Sequence, residues 1–291
     1  MKSSFLKAAS VLMVLGVALC GQAFAMPSDA ESNTAQLTKL FPEGFGLEAV
    51  GLPVTLGFGS TADYVIDRNF DEGIDIDEGI WYGGNVYWDP LENVHLSTFF
   101  GVADFTLGNV RINNDTTTRM ILKTDTDFAV GGGGKVDILQ FDLLPDLPKM
   151  NLFASGGYRW TSGNVTDVTS GSFNAVSQAL NVEVNEWQAT LGVSQKFDNP
   201  LSFIGWNGFS AVPYVGVQYN DATLNVSGTS VLPNDARVPN QSVKTGARDS
   251  DNVVGVATGL QLIGFSNQLS VSVEGRFITE TSVSLNGHFR W

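Results

Sequence analysis

The chain closes on ten residues with two unlike faces. Odd positions from Val283 to Trp291 are Val, Leu, Gly, Phe and Trp; even positions from Ser282 to Arg290 are Ser, Ser, Asn, His and Arg. Side chains on a strand alternate between its two faces, so this segment predicts one apolar and one polar face. A soluble sandwich can alternate in the same way. Here, though, the polar face carries an imidazole and a guanidinium and the chain ends on an aromatic residue, which suits a wall with lipid outside and a polar lumen inside.

The same two-residue period recurs along the sequence. It predicts ten strands, at about 54–67, 74–88, 93–107, 124–141, 150–161, 183–197, 209–224, 251–263, 269–279 and 283–291. Boundaries slip by a few residues, so the count spans roughly eight to twelve. The third strand loses phase near Phe105, which reads as a bulge. Connectors at Asp89-Pro90, Leu144-Pro145, Asn199-Pro200 and Gly264-Phe265 are short. Those at 68–73, 108–118, 162–182 and 226–248 are mostly longer and polar. Short periplasmic turns and long exterior loops are the habit of outer-membrane barrels. Trp187 and Phe197 stand ten residues apart on one face, as do Phe209 and Tyr219. At ~3.3 Å per residue and a tilt near 40°, that spacing rises roughly 25 Å, the height of an apolar belt between two aromatic girdles. Girdle positions are therefore expected at Trp88, Trp160, Trp187, Phe197, Phe209, Tyr219, Phe289 and Trp291.

Composition sharpens this reading. Residues 1–25 have Lys2 and Lys7, an apolar run from Ala8 to Leu19, and a small-x-small end at Ala23-Phe24-Ala25, the pattern of a secretory signal. Cys20 follows Leu19 rather than a small residue, which disfavours a lipoprotein signal. A polar leader at 26–52 precedes the barrel at 53–291. Beyond residue 25 there is no cysteine, so disulfide staples and thiol chemistry are excluded. Without Lys2 and Lys7, the 16 basic residues fall to 14 against 30 acidic ones, a net charge of −16. Such a balance excludes nucleic acid as a partner. No other apolar run is long enough for a spanning helix, so a membrane location requires a closed barrel. The expected destination is a bacterial outer membrane, reached through the periplasm, with outer-membrane lipid as the surrounding partner.

Alternation places Asp63, Lys135, Asp137, Arg159, Glu186, Lys196, Glu274, Arg276 and Arg290 on the lumen side. They read either as charge rings of a pore or as ion pairs filling a narrow interior. Inward glycines, including Gly59, Gly131, Gly133 and Gly259, favour space. An acidic mouth is expected from Asp67, Asp71, Glu72, Asp75, Asp77 and Glu78. It lacks the distal Glu of a calcium loop and reads as a solvated rim that attracts cations. Gly131–Gly134 lacks the Lys-Ser/Thr of a phosphate cradle and sits within a strand. His288 with Ser270 or Ser284 is the one candidate for catalysis, but it faces inward, away from lipid. No catalytic residue, metal site or cofactor is assigned.

Three segments resemble the chlamydial major outer membrane protein family of porins. Glu186-Trp187-Gln188-Ala189-Thr190-Leu191, followed by Pro213-Tyr214-Val215-Gly216-Val217, is similar to that family's Glu-Trp-Gln strand and its partner. The hairpin from Val271 to Phe277 and from His288 to Trp291 resembles its closing hairpin. Pro42-Glu43-Gly44-Phe45-Gly46 resembles its leader. The resemblance is clearest over 186–291 and implies a porin, with structural duty in the envelope. This chain is shorter than the typical member, which implies fewer strands, and it lacks the cysteines that cross-link that family's envelope. The expected function is passive diffusion of small hydrophilic solutes or ions. The alternative is a closed structural or adhesive barrel whose exterior loops bind. Homo-oligomerisation stays open.

Overall fold

The computed structural model describes residues 55–91, 93–111, 119–144, 147–170, 173–175, 180–200, 202, 208–230, 241–250, 253–264 and 268–290. The signal segment, the leader and Trp291 lie outside these residues.

All the strands belong to one antiparallel sheet whose two ends meet. They are β1 (Thr55–Phe70), β2 (Ile74–Leu91), β3 (Val94–Arg111), β4 (Arg119–Thr124), β5 (Asp127–Phe141), β6 (Met150–Ser170), β7 (Phe173–Ala175), β8 (Leu180–Gln195), β9 (Phe197–Asp198), β10 (Phe209–Ser230), β11 (Gln241–Asp249), β12 (Val254–Gly264), β13 (Leu269–Phe277) and β14 (Thr281–Arg290). Three walls are interrupted strands: β4 with β5, β8 with β9, and β11 with β12, each pair facing common neighbours. Counting each as one, and setting aside the three-residue β7 that pairs only with the far end of β6, ten strands form the ring, and β1 pairs with β14 from Gly57↔Arg290 onward to close it. Closure leaves no unpaired edge to face lipid, the condition for spanning with strands.

A belt of exposed apolar side chains wraps one level of this cylinder, among them Phe58, Trp88, Phe100, Phe128, Leu191, Val217, Val271 and Leu285. The chain is a transmembrane β-barrel. The end of the cylinder where β2 connects to β3 is the one that the connector lengths in the sequence assign to the periplasm.

Several strands run far past the belt. β6 has 21 residues and β10 has 22, about twice what a tilted strand needs to cross. The segments 162–182 and 226–248, expected as loops, are thus largely strand: β6 continues to Ser170 and β8 starts at Leu180, while β10 continues to Ser230 and β11 starts at Gln241. Above the short β13–β14 hairpin, Phe70 bridges Ser250 and so brings β1 to the wall of β11. The extracellular part is therefore a cylinder of eight strands (β1, β2, β3, β4, β6, β8, β10 and β11), a size whose interior side chains can fill.

Strand parity is kept across this boundary while its chemistry is exchanged. On β10 the inward residues Gln218 and Asn220 give way to Ala222, Leu224 and Val226; the outward residues Val217 and Tyr219 give way to Asp221, Thr223 and Asn225. On β8, Val182 and Val184 point inward above Glu186. Phe105 belongs to this pattern. It is buried in line with Ala103 and Leu107, and the register shifts nearby lie on β2 between Ile76 and Glu78 and further along β3 between Leu107 and Val110, where Asn109 has a φ of 55°. The apparent loss of phase at Phe105 itself is an exchange of environments, and the bulge expected near it falls just beyond, between Leu107 and Val110.

The β13–β14 turn has only three residues, Ile278–Glu280. Ile278 has a φ of 86°, a backbone region that costs a β-branched residue about 1–3 kcal/mol.

Candidate functional site

The lumen at belt height is occupied by charged side chains tied across the cylinder. Arg68 donates to Glu186 at 2.7 Å and also to Glu280. Arg159 donates to Asp63 at 2.8 Å and also to Glu186. Arg276 donates to Glu280 at 2.9 Å and stands 3.5 Å from Glu274, which accepts from the Tyr214 hydroxyl. Strands β1, β6, β8, β10, β13 and the β13–β14 turn are thus joined through one network. All its members but the half-buried Arg159 have almost no accessible surface: Glu186 is 4% exposed and Arg276 0%. A side chain lining a water-filled bore would keep its surface.

Towards the periplasm lies a second cluster. Lys135 Nζ is 2.7 Å from Asp137, and Asn151 donates to the same carboxylate. His95 Nδ1 is 2.9 Å from Asp89, which also lies 3.6 Å from Arg290. Ser270 Oγ is 2.6 Å from His288 Nε2, and the His288 ring packs on Tyr87 at 4.9 Å. Ser270 and His288 are register partners across β13 and β14, so their contact follows from strand pairing. The pair lies inside the lumen, away from lipid.

Over the network sits an apolar dome. Val65, Phe70, Ile76, Phe105, Leu107, Met120, Leu122, Val168, Val182, Leu224 and Val226 are buried in one cluster. Trp81 joins the two layers. Its ring stacks on Phe105 at 5.9 Å, its Nε1 donates to Thr161, and the Arg159 guanidinium lies 4.4 Å from its centroid, a cation–π geometry.

The structure brings together eight of the nine lumen charges expected from alternation. The exception is Lys196, which falls in the break between β8 and β9, beside the exposed Asp198 at the periplasmic rim. The same break misplaces Phe197: it is 7% exposed and pairs with the buried Ala211 instead of facing lipid. Inward glycines do not leave free space at two of the expected positions. A side chain at Gly259 would collide with the Tyr214 ring, and one at Gly59 with Tyr87 and the His288 Cβ. These glycines seat large aromatics that lie across the lumen. Two network members, Arg68 and Glu280, were hidden from sequence reasoning. The β1 register shifts between Val65 and Asp67, which turns Arg68 inward and Asp67 out. Glu280 sits in a turn, where alternation gives no signal.

The remaining girdle residues among those described face outward, and Trp291 lies outside them. Trp187 is 60% exposed, Trp88, Tyr219 and Phe289 are also exposed, and Trp160 and Phe209 are half-buried. Polar tips at the outer girdle reach upward: Trp160 Nε1 donates to Glu183 at 2.7 Å, and the Tyr64 hydroxyl donates to Glu78 at 2.7 Å. Above it, Asp67, Asp71 and Asp77 are exposed on the rim, with Asp75 half-buried and accepting from Asn109 at 2.9 Å. Partial burial, then the charge of Asp75, raises the carboxyls of Asp67 and Asp77 above their usual range. The belt edge is testable at paired sites on β8. Leu191→Arg, at belt height, should cost about 2–4 kcal/mol in unfolding from vesicles, whereas Glu183→Arg, above the belt, should cost under about 1 kcal/mol. Equal losses at both sites would move the edge.

No protein-family model matches this sequence, and no curated protein matches it. Among solved structures, the chain is similar to the transport unit of the autotransporter AIDA-I from Escherichia coli, at 9% identity over 88% of this chain and 93% of that one, with a TM-score of 0.35. It is similar to the outer membrane protease OmpT from Escherichia coli at 10% identity over 81% and 92%, TM-score 0.37. The translocator domain of the autotransporter NalP from Neisseria meningitidis matches at 10% identity over 84% and 91%, TM-score 0.34.

Proposed function

We propose that this protein is a closed outer-membrane barrel in its resting state, serving a structural or adhesive role through the eight-stranded cylinder it raises above the membrane. The apolar dome carries this reading. A solute leaving the charged lumen along the axis would have to part a packed cluster of Phe, Leu, Ile, Val and Met side chains, and such clusters have no voids for water. Passive diffusion of small hydrophilic solutes is the competing reading, supported by the polarity of the lumen. The resemblance to chlamydial porins is compatible with either and adds structural duty in the envelope.

Conductance separates the two. The mature chain, refolded and inserted into planar bilayers, should give no sustained discrete steps while keeping the gel mobility shift on heating that marks a folded barrel. Steady conductance from most inserted molecules at low voltage would return the protein to the diffusion class, and a gradient of salt across the bilayer would then read its ion preference.

A further inference from the structure

Four observations meet at the β13–β14 turn. This hairpin is the low point of the wall: β13 stops at Phe277 and β14 starts at Thr281, while β10 on the far side of β12 continues to Ser230 and β1 to Phe70. Its first turn residue, Ile278, is held at a φ of 86° with its side chain 68% exposed, so no packing of that side chain holds the turn down. What holds it is Glu280, fully buried, which accepts from Arg68, from Arg276 at 2.9 Å and from Ser282 at 2.9 Å. Directly inside the turn are buried polar atoms without partners among the described residues: both side-chain polar atoms of Gln218 and of Asn220, and the Thr279 hydroxyl. They are neighbours. Gln218 pairs with Gly255, and a Cβ at Gly255 would lie 3.1 Å from Thr279 Oγ1. Leaving such groups dry is costly, and water relieves that cost.

We propose that this turn is a gate and that the barrel conducts small hydrated ions when the gate opens. Opening releases Glu280 from Arg68 and Arg276. Residues Ile278–Glu280 then swing outward, Ile278 leaves its strained conformation, and water reaches Gln218, Asn220 and Thr279. The route emerges beside the membrane surface at the level of Asp67, which pairs with Thr281, and so bypasses the dome. Below the turn, charged side chains on the axis can exchange their present partners for water and the amides of Gln218 and Asn220 can take water up, which the dome residues cannot do. The inference rests on the closed resting state proposed above.

The test uses the full mature chain in planar bilayers. Glu280→Gln keeps the size of the side chain and removes its charge, so conductance steps should appear at least about ten times as often per inserted barrel as in wild type; charge-assisted bonds are roughly twice as strong as neutral ones. Adding Asp67→Cys and Thr281→Cys to that variant ties β14 to β1 across the seam. The oxidised form should fall back to the wild-type rate and reductant should restore the steps. A folded Glu280→Gln barrel no more active than wild type overturns the gate, as does activity that the disulfide leaves unchanged. Should Glu280→Gln not fold, Thr279→Cys carries the test: a membrane-impermeant maleimide added outside should label this buried position. If Thr279→Cys stays unlabelled while Ile278→Cys reacts, the gate is overturned. Sustained steps in wild type that match the variant count instead against the closed resting state.

Discussion

Replacing Glu186 by Gln should lower the unfolding free energy of the vesicle-inserted barrel by about 3–5 kcal/mol, the usual loss when a buried ion pair keeps only one partner. Glu186 is the member shared by three guanidiniums. It accepts from Arg68 and Arg159 and lies 4.0 Å from Arg276. With a neutral amide there, Arg68 and Arg276 retain Glu280 and Arg159 retains Asp63, but three positive groups then face two fewer charge-assisted bonds in a space without water. Urea titration of the refolded protein should show a lower midpoint at unchanged slope. A loss below about 1 kcal/mol would mean that water enters the network and screens it, as it does for exposed pairs.

A carboxylate inside the dome should be nearly as costly but local in its effect. Leu224 is fully buried on β10 among Val182, Val226 and their neighbours, and Leu224→Asp places a charge there without a partner. Of order 3 kcal/mol or more is lost in such cases. Because the belt and the charged lumen lie below, the heat-dependent gel shift should persist while protease added outside cuts within β6, β8 or β10. Asn225→Asp, one residue along and facing water, is the control and should remain resistant. If Leu224→Asp also resists protease, the extracellular cylinder is not held by its apolar interior.

Much of this architecture can be read from alternation alone. Ten walls and eight lumen charges follow from a single rule, lipid outside and polar groups inside. The rule fails where its premise does. Above the membrane the outside is water, so Val182 and Val226 turn inward, and the segments 162–182 and 226–248 that hold them, judged by the lipid rule, look like loops. Register shifts account for other losses. Arg68 enters the lumen because the wall slips by one residue after Val65, and Phe197 leaves the lipid face because β8 breaks at Lys196. Neither slip has a Gly or Pro to announce it. The inward glycines misled for a related reason: a gap at Gly259 signals room, and only the fold shows that Tyr214 occupies it.

The exchange of chemistry between Tyr219 and Asp221 on β10, and between Trp187 and Asn185 on β8, amounts to a waterline drawn around the molecule. Sinking by two residues, roughly 5 Å at a 40° tilt, would submerge Asp221, Glu183 and Glu78 in hydrocarbon. Rising by as much would lift Phe58, Trp88 and Phe289 out at the opposite face. Draught and upright orientation are thus written into the same strands that build the hull.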